Sequence, residues 1–204
     1  MQLRKLLCIF CLAVLLNSYY ICNAYSINTK TDNTVKTNSL TYFDAVRSFK
    51  ADFMQISSSE DIPRYGYVLM KKPGLLKWDY YPPTPVSIVI KGTTISYYDR
   101  ELEEYSYTIV NNPIIGLLSS DIKNISTIDF INIDTVNNQK IVTLHDKKSD
   151  LYAEVIFNTD PITIVGLNIL NPDSKTSIQF YNISSNIPID KREFKHDISH
   201  YYSE

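Results

Sequence analysis

From Phe49 almost to its end the chain alternates apolar and polar residues with period two, in eleven separate runs. Strands are therefore expected near 49–57, 64–72, 75–81, 86–91, 94–99 and 103–109. A second group is expected near 127–135, 139–146, 151–158, 162–170 and 175–184. The links between them are short and hold turn formers: Pro73-Gly74, Lys91-Gly92, Asn137-Asn138, Asp160-Pro161 and Pro172-Asp173. Such links join antiparallel neighbours. About eleven antiparallel strands curl into a barrel or a strongly bent sheet. With only five glycines in the chain, few deliberate kinks are expected.

Two helical patterns interrupt the alternation. Ser39 is placed to cap a helix over 39–47, with Leu40, Phe43 and Val46 on one face. A second helix starts at Asn112-Pro113, with proline in its first turn. Ile114, Ile115, Leu117 and Leu118 make it apolar nearly all round. Neither helix can leave its apolar side in water, so both are expected across the open side of the sheet. The fold class is mainly β, a bent antiparallel sheet with short helices laid over it.

The stretch from Lys71 to Pro83 narrows the question. Leu76, Trp78 and Tyr80 share one strand face, while Lys77 and Asp79 share the other. Val68, Met70, Ile88 and Ile90 have the same inward parity as the aromatics. These seven residues either pack as an ordinary core or line a hollow. Pattern alone leaves both open.

Composition places the domain. Residues 1–24 have the parts of a secretory signal: Arg4 and Lys5, an apolar run from Leu6 to Leu16, and a small-residue exit at Ala24. Residues 25–38 are polar and aperiodic, a flexible lead-in. The domain is expected over 39–195, with a tail at 196–204. All three cysteines (Cys8, Cys11 and Cys22) lie in the leader, so the mature chain would have neither disulfide nor thiol chemistry. Without the leader it carries 18 basic and 22 acidic residues, a net charge of −4. That balance gives no footprint for nucleic acid.

Candidate chemistry is sparse. His196 and His200 have the i, i+4 spacing of metal ligands, but no third ligand accompanies them, and they read as part of a solvated tail. There is no nucleophile elbow and no glycine-rich phosphate loop. Acid pairs such as Glu60-Asp61 and Glu103-Glu104 fall at loops or strand edges. An enzyme, a metal site and a cofactor are not expected.

Five blocks in order resemble the periplasmic outer-membrane lipoprotein carrier proteins, the LolA family. They are Ser48 to Gln55, Gly66 to Tyr80, Lys91-Gly92 with Tyr98-Asp99 and Leu102-Glu103, Asn112 to Leu118, and Phe180 to Phe194 with its Asn186-Ile187-Pro188-Ile189. Together they cover about 45–195. The resemblance implies an unclosed barrel of eleven strands with a helical lid over a hydrophobic cavity for acyl chains. It also implies a periplasmic location, acylated lipoproteins as cargo, an ATP-driven releasing complex in the inner membrane, and delivery to the outer membrane, where either an acceptor lipoprotein or this chain itself inserts the cargo. A monomer is expected.

On that resemblance the cavity wall would be Val68, Met70, Leu76, Trp78, Tyr80, Ile88 and Ile90, and the lid Ile114, Ile115, Leu117 and Leu118. Lys72 stands where the family commonly has an arginine that bonds the lid, and would control it with a point charge instead of a planar fork. Glu104-Tyr105 stands where the family has Gln-Val. Two other readings stay open: a periplasmic carrier of free lipid, and a filled-core β-domain serving as an interaction or adhesion module.

Overall fold

The computed structural model describes residues 33–109, 116–122 and 125–196. The leader, residues 25–32 of the lead-in, Ile114, Ile115 and His200 lie outside the described residues.

Eleven strands form one antiparallel sheet: β1 (Ser48–Ser57), β2 (Arg64–Lys71), β3 (Leu75–Tyr80), β4 (Val86–Lys91), β5 (Thr94–Asp99), β6 (Glu104–Ile109), β7 (Ile128–Val136), β8 (Gln139–Asp146), β9 (Leu151–Thr159), β10 (Ile162–Asn171) and β11 (Ser174–Ser185). Across the sheet the order is β6-β5-β4-β3-β2-β1-β11-β10-β9-β8-β7. Two meanders therefore meet where β1 pairs with β11. Strands β6 and β7 are left as unjoined edges, and the barrel stays open.

The expected turns supply the needed geometry. Asn137 and Asn138 take φ of 47° and 67°, which suits a two-residue hairpin link. Gly74 and Gly92 also have positive φ, 73° and 61°. Gly74 N–H donates to the Ser119 carbonyl at 2.8 Å, and Gly92 N–H donates to the Gly74 carbonyl at 2.8 Å. The β2–β3 turn thus ties segment 116–122 to the β4–β5 turn. Bending comes from bulges instead of glycines, with register shifts at Lys50/Asp52, Phe130/Asn132 and Ile164/Gly166.

The first helix differs from its expected bounds. α1 runs Asn33–Ala45, so the end of the polar lead-in is helical and Ser39 lies mid-helix, buried, instead of at the cap. Asn33-Thr34 and Thr37-Asn38 are weak helix formers, so local preference gives no sign of this start. Packing does the work. Phe43 meets Phe157 at 5.2 Å and Phe130 at 6.4 Å, both edge-on, and Tyr42 meets Phe157 at 5.6 Å. These contacts define the inner face of the sheet and lay α1 over its β7–β9 half.

The outer face carries a second, smaller core. After β11 the chain crosses the backs of β2 to β4, burying Ile189 and Phe194 against Leu69 and Val89, flanked by Tyr67, Leu75 and Ile187. Lys71 Nζ donates to the Ile189 carbonyl at 2.5 Å, and Asp190 caps the 3₁₀ turn Lys191–Glu193.

Candidate functional site

Strand register settles which side chains share the inner face. Met70, Leu76 and Ile90 form one row, continued by Phe49 of β1; Val68, Trp78 and Ile88 form the next, continued by Ala51. Gly66 and Tyr80 follow, beside Phe53. The seven residues expected on one face are therefore brought together. Trp78 is 8% exposed, Val68, Met70, Leu76, Tyr80 and Ile90 no more than 4%, and Ile88 is half-buried.

Sequence reasoning passed over the aromatics that complete this floor. Phe53 lies 4.6 Å from Trp78 and 5.2 Å from Tyr80, while Phe180 of β11 lies 5.9 Å from Trp78 and 5.1 Å from Phe49. Phe49 and Phe53 have the inward parity of β1, so the signal was in the alternation; Phe180 needed the β1–β11 pairing, which no local pattern carries. The floor is not purely apolar. Tyr80 donates to Gln55 Oε1 at 2.7 Å, and burial pushes its phenol pKa upward. The Trp78 indole N–H is buried without a hydrogen-bond partner.

Of the expected lid, Leu117 and Leu118 are buried in segment 116–122, where Ser120 N–H closes a turn onto the Gly116 carbonyl at 2.9 Å. Ile122 is buried beside them in sequence. Lys72 stands one residue past β2 and reaches α1: its Nζ donates to the Phe43 carbonyl at 2.6 Å and lies 5.9 Å from the Phe43 ring. A cation on a carbonyl of the last helical turn satisfies a group the helix itself leaves open. Asn186 works from the other side, donating to the Ala45 carbonyl and accepting from Arg47 N–H, each at 2.8 Å. The C-terminal end of α1 is pinned from two strand ends.

The face opposite the aromatics is not open to water: Lys77 and Asp79 are 3% and 2% exposed beneath segment 187–196. Asp79 accepts from Lys77 at 3.2 Å, Tyr67 at 3.2 Å, Ser87 at 3.3 Å, and from Arg100. One expectation is corrected: His196 is not a solvated tail residue. Its ring nitrogens meet Ser87 Oγ at 2.9 Å and Ser96 Oγ at 2.7 Å, and Tyr105, stacked on Tyr98 at 4.3 Å, meets it edge-on at 5.5 Å. Burial pushes its pKa down to about 4, against the pull of Asp79 and with help from Lys77 and Arg100. The imidazole is therefore neutral at pH 7 and acts as a fastener for the C-terminal segment. Among the described residues no group of three or more His, Cys, Asp or Glu is gathered as for a metal.

An open groove of about 300 Å³ lies around Gly166, edged by Met54, Ile56, Ile156 and Gln179. The seven residues expected on one face are not among those that edge it.

Comparison with known proteins agrees with the architecture. An uncharacterised protein of Rickettsia prowazekii (strain Madrid E) is 27% identical over 145 residues, 70% of this chain and 67% of that one. An outer-membrane lipoprotein carrier protein of Francisella philomiragia is 23% identical over 142 residues, 67% of this chain and 69% of that one. Among solved structures, a DUF1329 family protein of Desulfovibrio piger superposes with a TM-score of 0.50 at 9% identity, over 80% of this chain and 95% of that one. The family model described as outer membrane lipoprotein carrier protein LolA matches residues 44–197, and the chain belongs to that family.

Proposed function

We propose that this protein is a periplasmic carrier that shields the acyl chains of lipoproteins between the inner and the outer membrane. It would take cargo from an ATP-driven releasing complex and deliver it to the outer membrane or to an acceptor lipoprotein there. One observation carries the reading: an aromatic and aliphatic floor is buried on the inner face of a sheet whose edge strands β6 and β7 do not pair, and α1 packs on that same face over β7 and β9.

The physics asks for a cover. Each acyl methylene costs about 0.8 kcal/mol to expose, so a chain of a dozen or more cannot cross water unshielded. Closed, α1 and segment 116–122 occupy the hollow; open, acyl chains take over the same apolar contacts. The two states then differ by little, and cargo shifts the population between them. Val68, Met70, Leu76, Trp78, Tyr80, Ile88 and Ile90 of the floor, Leu117, Leu118, Ile114 and Ile115 of the cover, and Lys72 at its fastening are assigned on this basis.

Trp78 is the only tryptophan in the chain, which makes the test direct. Its fluorescence is expected to be quenched by brominated fatty acids as they replace the cover. Absence of quenching at saturating probe, with the protein folded, would favour the second reading, a filled-core interaction module; the near-complete burial of the floor is the observation on that side. Recovery of an acylated protein by native mass spectrometry of periplasmic complexes separates lipoprotein cargo from free lipid.

Lys72→Leu removes a charge-assisted hydrogen bond from the end of α1. Amide hydrogen exchange in the last turn of α1 is expected to speed up about ten-fold, with cargo release altered and the sheet unaffected. Unchanged exchange and release would take Lys72 out of the mechanism.

A further inference from the structure

We infer that the Trp78 indole N–H is a specificity-determining donor, bonding the ester or amide carbonyl at the head of a bound acyl chain and so fixing the direction in which the chain lies. The inference rests on the carrier reading.

The floor is polarised along its strands. At one end Phe49, Met70, Leu76 and Ile90 offer hydrocarbon alone. Moving along the strands, the next row holds Trp78, the next Tyr80, and the last Gln55, opposite Arg64. Polar atoms therefore enter in three successive rows at one end. Tyr80 and Gln55 bond each other at 2.7 Å. The indole N–H approaches the Tyr80 oxygen closely enough to lower that phenol's pKa against the rise from burial, but the approach is too poorly aligned to count as a formed hydrogen bond, and the Trp78 N–H meets no well-aligned acceptor.

A buried, unpaired N–H is unusual, and leaving one costs roughly 1–3 kcal/mol. Phenylalanine would fill the same position without that loss. The cover holds a similar group: Ser39, on the buried side of α1 with Phe43, has a buried hydroxyl with no partner. Trp78 stands on the inner face of the sheet, and Ser39, one turn before Phe43, belongs to the helix packed against that face.

The chemistry of the ligand follows from the donor. An alkane cannot use an N–H. A carboxylate calls for a cation, and Arg64, at this end of the floor, is engaged with Glu60 at 2.7 Å. Lys72, past the opposite end, is on the Phe43 carbonyl at 2.6 Å. A neutral carbonyl matches the indole, with the methyl end of the chain running toward Met70 and Ile90. Ester- and amide-linked acyl groups carry that carbonyl; free hydrocarbon does not.

The test uses the full chain labelled with nitrogen-15, in which the single tryptophan gives one indole N–H resonance. Methyl palmitate, N-methylpalmitamide, heptadecane and palmitate are titrated in from cyclodextrin. The ester and the amide should move the indole resonance downfield, and the alkane should not. Ester should bind roughly five- to ten-fold more tightly than alkane, and Trp78→Phe, checked by thermal melting to be folded, should bring that ratio close to one. Equal affinities for ester and alkane, an unchanged ratio in Trp78→Phe, or tightest binding of palmitate would each overturn the inference and leave the carrier reading standing. Binding of none of the four would overturn both.

Discussion

Gly66→Ala is expected to destabilise the protein by about 3 kcal/mol or more, the largest effect of any single added methyl group on the floor. A Cβ at this position would lie 2.2 Å from the Asp79 carbonyl oxygen and 2.6 Å from the Phe53 ring. The first neighbour is strand backbone held in the β2–β3 ladder, and the second is the ring that packs Trp78 and Tyr80 together. Neither can step aside cheaply. The variant Gly66→Ala in a Phe53→Leu background separates the two clashes: Phe53→Leu should recover only part of the loss, because the carbonyl stays where it is. Denaturant midpoints at constant m-value measure both. A loss below 1 kcal/mol for Gly66→Ala would mean the floor is far softer than its packing implies.

Asp79→Ala is expected to cost a comparable amount, about 3–5 kcal/mol, for an electrostatic reason. The carboxylate is the shared partner of Lys77 and Arg100, which are 3% and 5% exposed, and it also holds Tyr67 and Ser87. Truncation removes the buried anion that Lys77 and Arg100 share. Asp79→Asn keeps the shape and some of the hydrogen bonds, so it should lose less. Replacing all three ionic residues by apolar ones of similar volume should be milder than the single truncation, since the penalty comes from keeping buried positive charge without the carboxylate that balances it. The damage should appear first as release of segment 187–196, read as faster hydrogen exchange at Ile189 and Phe194 while β8 and β9 stay protected. Simultaneous loss of the whole sheet would contradict that order.

The sheet was almost entirely legible in the sequence. Each of the eleven strands falls within two residues of its expected bounds, because alternation has period two and turns such as Asn137-Asn138 and Pro73-Gly74 mark where it stops. Parity also placed Val68, Met70, Trp78 and Tyr80 on one face. What parity does not carry is what covers a face. The alternation puts Lys77 and Asp79 on the face opposite Trp78 but is silent on what covers them; the segment that buries them comes more than a hundred residues later. His196 was misread for the same reason, its partners Ser87 and Ser96 being distant in sequence. The start of α1 was hidden differently, in threonines and asparagines whose helical state is imposed by Phe43 packing on Phe130 and Phe157.

The placement of β1 has a kinetic meaning. The earliest strand sits at the centre of the sheet, between β2 and the last strand, so its two partners lie at opposite ends of the domain. Strands β1 to β6 can assemble from neighbours, and so can β7 to β11. The two halves join only when β11 reaches β1, across contacts such as Asn182 Nδ2 to Asp52 Oδ2, 130 residues apart. Until that closure β1 is a raw strand edge, with Met54 and Ile56 beside it. Loop closure of this length is slow, and an open hydrophobic edge pairs readily with other chains. The vulnerable interval for this protein is therefore the wait for its final strand, and a chain cut short before Ser174 would retain a sticky half-sheet, not a smaller stable domain.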